Sequence, residues 1–401
     1  MIVEPDVSSL SHADRTAMDR LLSVRPRWRG LATAREAIGI DGCVALHAGP
    51  PLTGPPCRPI ANSIAAAAVF EGWADTLESA LRMVATGEIE LRAAQDEGAV
   101  VPLAAVLTPS MIVQIVADAQ GQSRAAVAPL NGGGGPALRL GTATPAVVEH
   151  LRWLNGTLAQ ELAPLADTGV DLIPIADAAL AEGDDCHGRT AAATRRLFAL
   201  VCATRGEVTE PVRRFFETGP SFFLNLWMAA CRCMAEAACG IAGSSLVVAI
   251  GANGKEIGVK LAGAPRDWVT SPAAVPSGAL MPGFRTADCL AAIGDSALVD
   301  ALGFGAMAMH HAPAQQEVLA RFMPEASEVL GARIFAVKDS RFAKANIRTG
   351  SLAHTLAEDG RPLAVALGIL DRNGVAGRVG GGIAVPPAEL FRTAVHRLRA
   401  A

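Results

Sequence analysis

The stretch Leu246-Val-Val-Ala-Ile-Gly-Ala-Asn-Gly-Lys-Glu-Ile-Gly-Val-Lys-Leu261 reads as two short apolar strands folded about Asn253-Gly254. Asn-Gly suits a tight hairpin because both residues tolerate the positive φ such a turn demands. The stretch decides the fold because the pattern differs on its two sides. Upstream, 224–239 is apolar around its whole circumference, which marks a buried helix. Further helices are read at 145–163, 172–183, 189–204 and 207–218. Downstream, short strands at 333–337, 365–370 and 377–384 are separated by Gly/Pro loops at 262–267, 271–278 and 281–285. Helices are read at 295–309, at 349–358 and from Pro387 onward. Before the helical middle lie a helix and its exit at 14–39 and a strand at 42–47. Two helices follow, the first opening at Arg58-Pro59 and the second at 76–86, and then strands at 100–107, 110–117 and 125–130. The expected class is α/β in the mixed α+β sense, two α/β lobes with a helical insertion between them. The boundaries read 1–142, 143–241 and 242–401.

The 401 residues are 51% hydrophobic and 18% charged, so a large core is expected rather than disorder. A net charge of -4 without a clustered basic surface argues against a nucleic-acid partner. The mean hydropathy is high, +0.31, but no apolar run approaches the roughly 20 residues of a membrane span. Met1 to Arg15 carries Glu4, Asp6 and Asp14 and no signal-like apolar core, so a cytoplasmic protein is expected. The eight cysteines form no CxxC pair and read as reduced, mostly buried thiols. The histidine spacing matches no zinc motif, so neither metal nor cofactor is expected.

Chemistry is densest in Glu182-Gly-Asp-Asp-Cys-His-Gly-Arg-Thr190. His187 stands at a break beside Gly188, where a cleft can reach it. Asp184 or Asp185 can orient its ring. Arg189 can hold an anion with its fork of donors. The competing reading makes the two aspartates caps of the helix that follows and His187 a packing residue. In Ser221-Phe-Phe-Leu-Asn225, Asn225 heads a very apolar helix and needs a partner, either a ligand or nearby backbone. Gly243-Ser244-Ser245 is a helix-to-strand turn able to bind an anion, or a plain turn. Asn131-Gly132-Gly-Gly-Gly135 and Gly380-Gly381-Gly382 let a ligand approach backbone, though neither has the residues of a Walker or dinucleotide loop. His47 ends a strand ahead of a Gly/Pro turn.

Several of these segments, in order, resemble one family. Leu46-His-Ala-Gly-Pro-Pro51, Phe70-Glu-Gly-Trp-Ala74, Leu107-Thr-Pro-Ser-Met111, Gly183-Asp-Asp-Cys-His-Gly-Arg189, Phe222-Phe-Leu-Asn225, Gly243-Ser-Ser245, Phe284, Ile293-Gly-Asp-Ser296 and Val379-Gly-Gly-Gly382 are similar to the YlbE/YahG/AllG family. The sequence departs from the family pattern at Gln95-Asp96-Glu97, where relatives carry a His-rich stretch, and at Gly188, where Asn is common. The resemblance implies a carbamoyltransferase-like enzyme or enzyme subunit, moving a carbamoyl group between a ureido acid such as oxalurate and phosphate to give oxamate and carbamoyl phosphate in allantoin breakdown. It implies FdrA-like and AllH-like partner subunits, a homo-oligomer, and a small anionic substrate with phosphate as ligands. On this reading His187, Asp185, Arg189 and Asn225 carry the chemistry: His187 shuttles the proton and Asn225 holds the carbamoyl amide. Gly243, Ser244, Ser245, Asn131, Gly132, Gly381 and His47 bind substrate or phosphate. The alternatives are a stand-alone amidohydrolase or lyase on a related ureido or amide acid, and a non-catalytic subunit of a hetero-oligomer.

Overall fold

A computed structural model describes residues 10–400. The expectation drawn from residues 1–9 lies outside the described residues. The helix Phe223–Ala237 organises the molecule. It contains no Gly or Pro and carries apolar residues on every face, and Phe223, Trp227, Ala230 and Cys233 are all fully buried. One face lies on strands Ile112–Asp118 and Ala126–Pro129, another on Val247–Asn253. The helix therefore joins two antiparallel sheets. The first runs Ala126–Pro129, Ile112–Asp118, Pro26–Thr33, Val170–Asp171; the second runs Ala264–Pro272, Glu256–Leu261, Val247–Asn253, Ile293–Gly294.

One apolar cluster continues from Met18 and Val116 through Trp227 to Val248 and Phe391. Trp227 sits at its centre, edge-on to Phe304 at 5.0 Å and to Phe342 at 6.1 Å. A second cluster packs helix Arg58–Glu71 and the small sheet Glu90–Ala93, Val44–His47, Val106–Leu107. A fourth sheet, Ser277–Leu280, Arg378–Ala384, Val365–Leu370, closes the C-terminal side.

The mixed α/β class holds, and the hairpin at Asn253-Gly254 forms with Gly254 at φ 82°. Several elements differ from the sequence reading. Residues 14–39 are helix His12–Ser23, strand Pro26–Thr33 and helix Ala34–Ile38. The alternation Arg27-Trp28-Arg29 is too short to stand out, since Gly30 interrupts it at a bulge, although Trp28 is fully buried. The loop at 262–267 is the start of strand Ala264–Pro272, an exposed edge whose polar residues gave no apolar signal. The helix expected over 295–309 is only Ala297–Ala301, followed by a 3-10 segment Gly305–His311, because Gly303 and Gly305 take positive φ. Of the strand expected at 100–107 only Val106–Leu107 pairs, and 349–358 splits into strand Arg348–Ser351 and helix Ala353–Leu356.

Candidate functional site

Asp184 and Asp185 stand in the loop between helices Leu172–Ala181 and Ala191–Arg205. Asp184 Oδ2 accepts the Ala193 N–H at 2.9 Å and so caps the second helix. Asp185 Oδ1 accepts the N–H groups of His187 and Arg189 at 2.7 and 2.9 Å, closing the loop on itself. Cys186 between them takes φ 62°, a conformation rarely adopted by non-glycine residues and a sign of a loop held by its surroundings. The result is that His187 is turned inward.

Neither of the adjacent aspartates orients that ring. Asp300 does, from the short helix Ala297–Ala301: His187 Nδ1–H donates to Asp300 Oδ2 at 2.6 Å. Asp300 has no solvent exposure, and its Oδ1 also accepts Ala306 and Ala366 N–H groups at 2.8 and 3.2 Å. Burial opposes charging of His187, but the charge and hydrogen bond of Asp300 outweigh it and raise the ring above its usual range. Burial pushes Asp300 upward as well, against the attraction of His187. Asp185 is pushed up to about 6 by burial, with Asp300 adding like-charge repulsion. Three titratable groups thus share one desolvated spot, the arrangement that shifts proton affinities at functional sites.

With Nδ1 committed to Asp300, Nε2 is the ring nitrogen left for a ligand. His187 lines a cleft of ≈120 Å³ together with Arg139, Ser221, Ser296, Gln315 and Arg378. Gly381 forms part of the wall, and Leu103 reaches it with φ 48°. Arg139 follows the glycine loop in a 3-10 turn, and Arg378 opens the glycine-rich strand. Neither arginine has an ion pair among the described residues. Arg139 Nη1 is buried without a partner, and Nη2 reaches only the Ser221 hydroxyl at 3.5 Å. Burial and the like charge of Arg378 lower Arg139 to about 10. Two guanidinium groups that repel each other and lack a carboxylate form a site for an anion. Larger cavities of ≈490, ≈460, ≈450 and ≈430 Å³ are also present, but none of these contains a histidine–carboxylate hydrogen bond among the described residues.

The serine turn does not share this cleft. Ser244 and Ser245 point at Asp14, whose Oδ1 accepts the Ser244 hydroxyl at 3.0 Å and the Ser245 N–H at 2.7 Å. Gly243 belongs to the same turn, at φ 77°. Asn225 Nδ2 donates to the Pro129 carbonyl at 2.8 Å and to Asn131 Oδ1 at 3.3 Å, so it pins the glycine loop to the central helix. Gly132 lies against that helix, where a Cβ would approach the Phe222 carbonyl at 3.2 Å. Arg189 is exposed and pairs with Asp184 at 3.6 Å. His47 is fully buried, donates from Nδ1 to the Ala48 carbonyl at 2.9 Å, and is lowered by desolvation. Of the predicted residues, the cleft gathers His187 and Gly381, with Asp185 directly behind. Asp300, Arg139 and Arg378 were missed. A lone carboxylate in the apolar run Ala297-Leu-Val-Asp-Ala301 was the one available signal, since a buried charge demands a partner.

The fold and the cleft define an α/β protein whose cleft carries two arginines without ion pairs beside a histidine–aspartate hydrogen bond. The family model described as "Oxamate carbamoyltransferase subunit AllG" matches residues 89–296, and the chain belongs to this family. The chain is 30% identical over 321 residues to "Uncharacterized protein YahG" of Escherichia coli (strain K12), covering 77% of this chain and 68% of that protein. It is 26% identical to the "Oxamate carbamoyltransferase subunit AllG" of the same organism, over 98% of both chains. A crystal structure of a conserved protein of unknown function from Enterococcus faecalis V583 superimposes with a TM-score of 0.85 at 26% identity, covering 99% of each chain.

Proposed function

We propose that this chain is a carbamoyl-transfer subunit whose cleft binds a small ureido acid such as oxalurate together with phosphate. The observation that carries the reading is the pair of guanidinium groups without a carboxylate partner, Arg139 and Arg378, in the same cleft as His187 held by Asp300. Family membership and the similarity to a protein named as an oxamate carbamoyltransferase subunit support the substrate class. Arg139 and Arg378 hold the carboxylate and phosphoryl oxygens. A phosphate oxygen attacks the carbamoyl carbon, the bond from that carbon to the oxamate nitrogen breaks, and carbamoyl phosphate and oxamate result. His187 Nε2 relays the phosphate O–H proton to the departing nitrogen, and Asp300 stabilises the imidazolium formed in between. The reaction needs no covalent intermediate, only two anions held in register and a proton moved. The complete enzyme includes FdrA-like and AllH-like partner subunits.

The assay is carbamoyl phosphate formation from oxalurate and phosphate, by the chain alone and with both partner subunits. The complete assembly is expected to be active. His187→Ala is expected to lower kcat by about 10²–10⁴, the usual contribution of a positioned acid–base group. An inert complete assembly overturns the proposal, and ammonia release by the isolated chain replaces transfer with hydrolysis.

A further inference from the structure

A cavity of ≈490 Å³, separate from the His187 cleft, is built around cations. Four of them line it: Arg124, Arg232, Lys260 and Arg266. Only Asp96 and Glu236 face them from the same walls. Lys260 pairs with Asp96, which the Trp268 indole N–H also reaches at 2.9 Å. Arg232 pairs with Glu236 at 2.5 Å. Arg124 and Arg266, both solvent-exposed at the rim, have no ion pair among the described residues.

Two residues of its lining, Gln95 and Arg232, also carry unused hydrogen-bonding capacity. Gln95 is 1% exposed. Its Nε2 donates to Asp295 Oδ1 at 2.8 Å and to the Ile250 carbonyl at 3.1 Å. Both partners are acceptors, so the amide orientation is fixed and Oε1 is left as a buried acceptor without a partner. Arg232 is 8% exposed, and its Nε is a buried donor without a partner. A buried donor and a buried acceptor left unsatisfied each cost stability, and a ligand offering the complementary groups recovers it.

We propose that this cavity is a second anion site, taking a phosphate-bearing small molecule. Phosphoryl oxygens meet Arg124, Arg266 and Arg232 Nε, while a protonated phosphate oxygen donates to Gln95 Oε1. Inorganic phosphate keeps a proton throughout the neutral range, because its monohydrogen dianion gives that proton up only in strong base, and a phosphomonoester, with a second pKa of about 6, keeps it in part. Sulfate offers the same oxygens without a proton and leaves Gln95 Oε1 unsatisfied. The site backs onto the cleft: Asp295, which holds Gln95, also accepts the Val101 N–H at 2.9 Å, and the next residue, Ser296, lines the His187 cleft. The proposal stands apart from the reaction assigned to that cleft.

Titration calorimetry of the full chain with inorganic phosphate tests it. Arg378→Ala, which disables the cleft, is expected to leave one phosphate site intact. Adding Arg124→Ala and Arg266→Ala is expected to weaken that remaining site at least tenfold, with an unchanged melting curve, since both side chains are exposed. Sulfate is expected to compete at least tenfold less well than phosphate in the Arg378→Ala protein. Absence of phosphate binding in Arg378→Ala, indifference of the remaining site to the two rim substitutions, or equal competition by sulfate overturns the proposal.

Discussion

A carboxylate without solvent survives only among donors, and Asp300 has three: the His187 ring and the N–H groups of Ala306 and Ala366. Its tie to His187 has a defined pH signature. The ring's proton affinity is raised in the folded chain, so the pair stabilises the protein fully below the unfolded histidine value, about 6.5. That contribution is lost as pH rises through the raised folded value. In a histidine-resolved NMR titration, His187 is expected to titrate above 6.5, and in Asp300→Asn below it, because burial is then opposed only by the smaller effect of the Asp185 charge. An unchanged midpoint would show that Asp300 does not control the ring. Gly305 enforces the same geometry. At φ 59°, its added Cβ would lie 2.4 Å from Asp300 Oδ1 and 2.8 Å from His187 Cβ. Gly305→Ala is expected to cost about 1–3 kcal/mol from backbone strain alone, read by urea unfolding, and to displace the pair.

The turn that joins the central helix to strand Val247–Asn253 is held from outside itself. Asp14, on helix His12–Ser23, accepts two hydroxyls and an N–H from Ser244 and Ser245. Asp14→Ala leaves those donors without their acceptor and is expected to destabilise the chain by about 1–3 kcal/mol in urea unfolding while phosphate affinity is unchanged. Asn225 acts likewise at the other end of the helix, fastening the glycine loop that leads to Arg139. These two motifs stood out in the sequence because polar groups beside apolar runs need partners. Which partners, ligand or backbone, could not be read there: Pro129 and Asp14 are 96 and more than 200 residues distant in sequence.

Across the molecule, Trp227 touches Phe223 on its own helix and Phe304 and Phe342 from the C-terminal side. Removing it opens a cavity where the segments meet. Trp227→Ala is expected to cost about 3–5 kcal/mol. Calorimetry is expected to show a single transition at lower temperature, because one apolar cluster runs through all these elements. The mixed α/β class, the buried central helix, the hairpin at Asn253-Gly254 and the dense polar loop around His187 were legible in the chain's order of residues. Those features rest on local periodicity, turn chemistry and the density of polar groups within a few residues. Only the tertiary structure brought Asp300 to His187, placed Arg139 and Arg378 in one cleft, and turned the serines away from it. Each of those pairings joins residues about 100 or more positions apart, and hydrophobic burial, which brings distant segments together, leaves no local pattern that says which charged residues will meet.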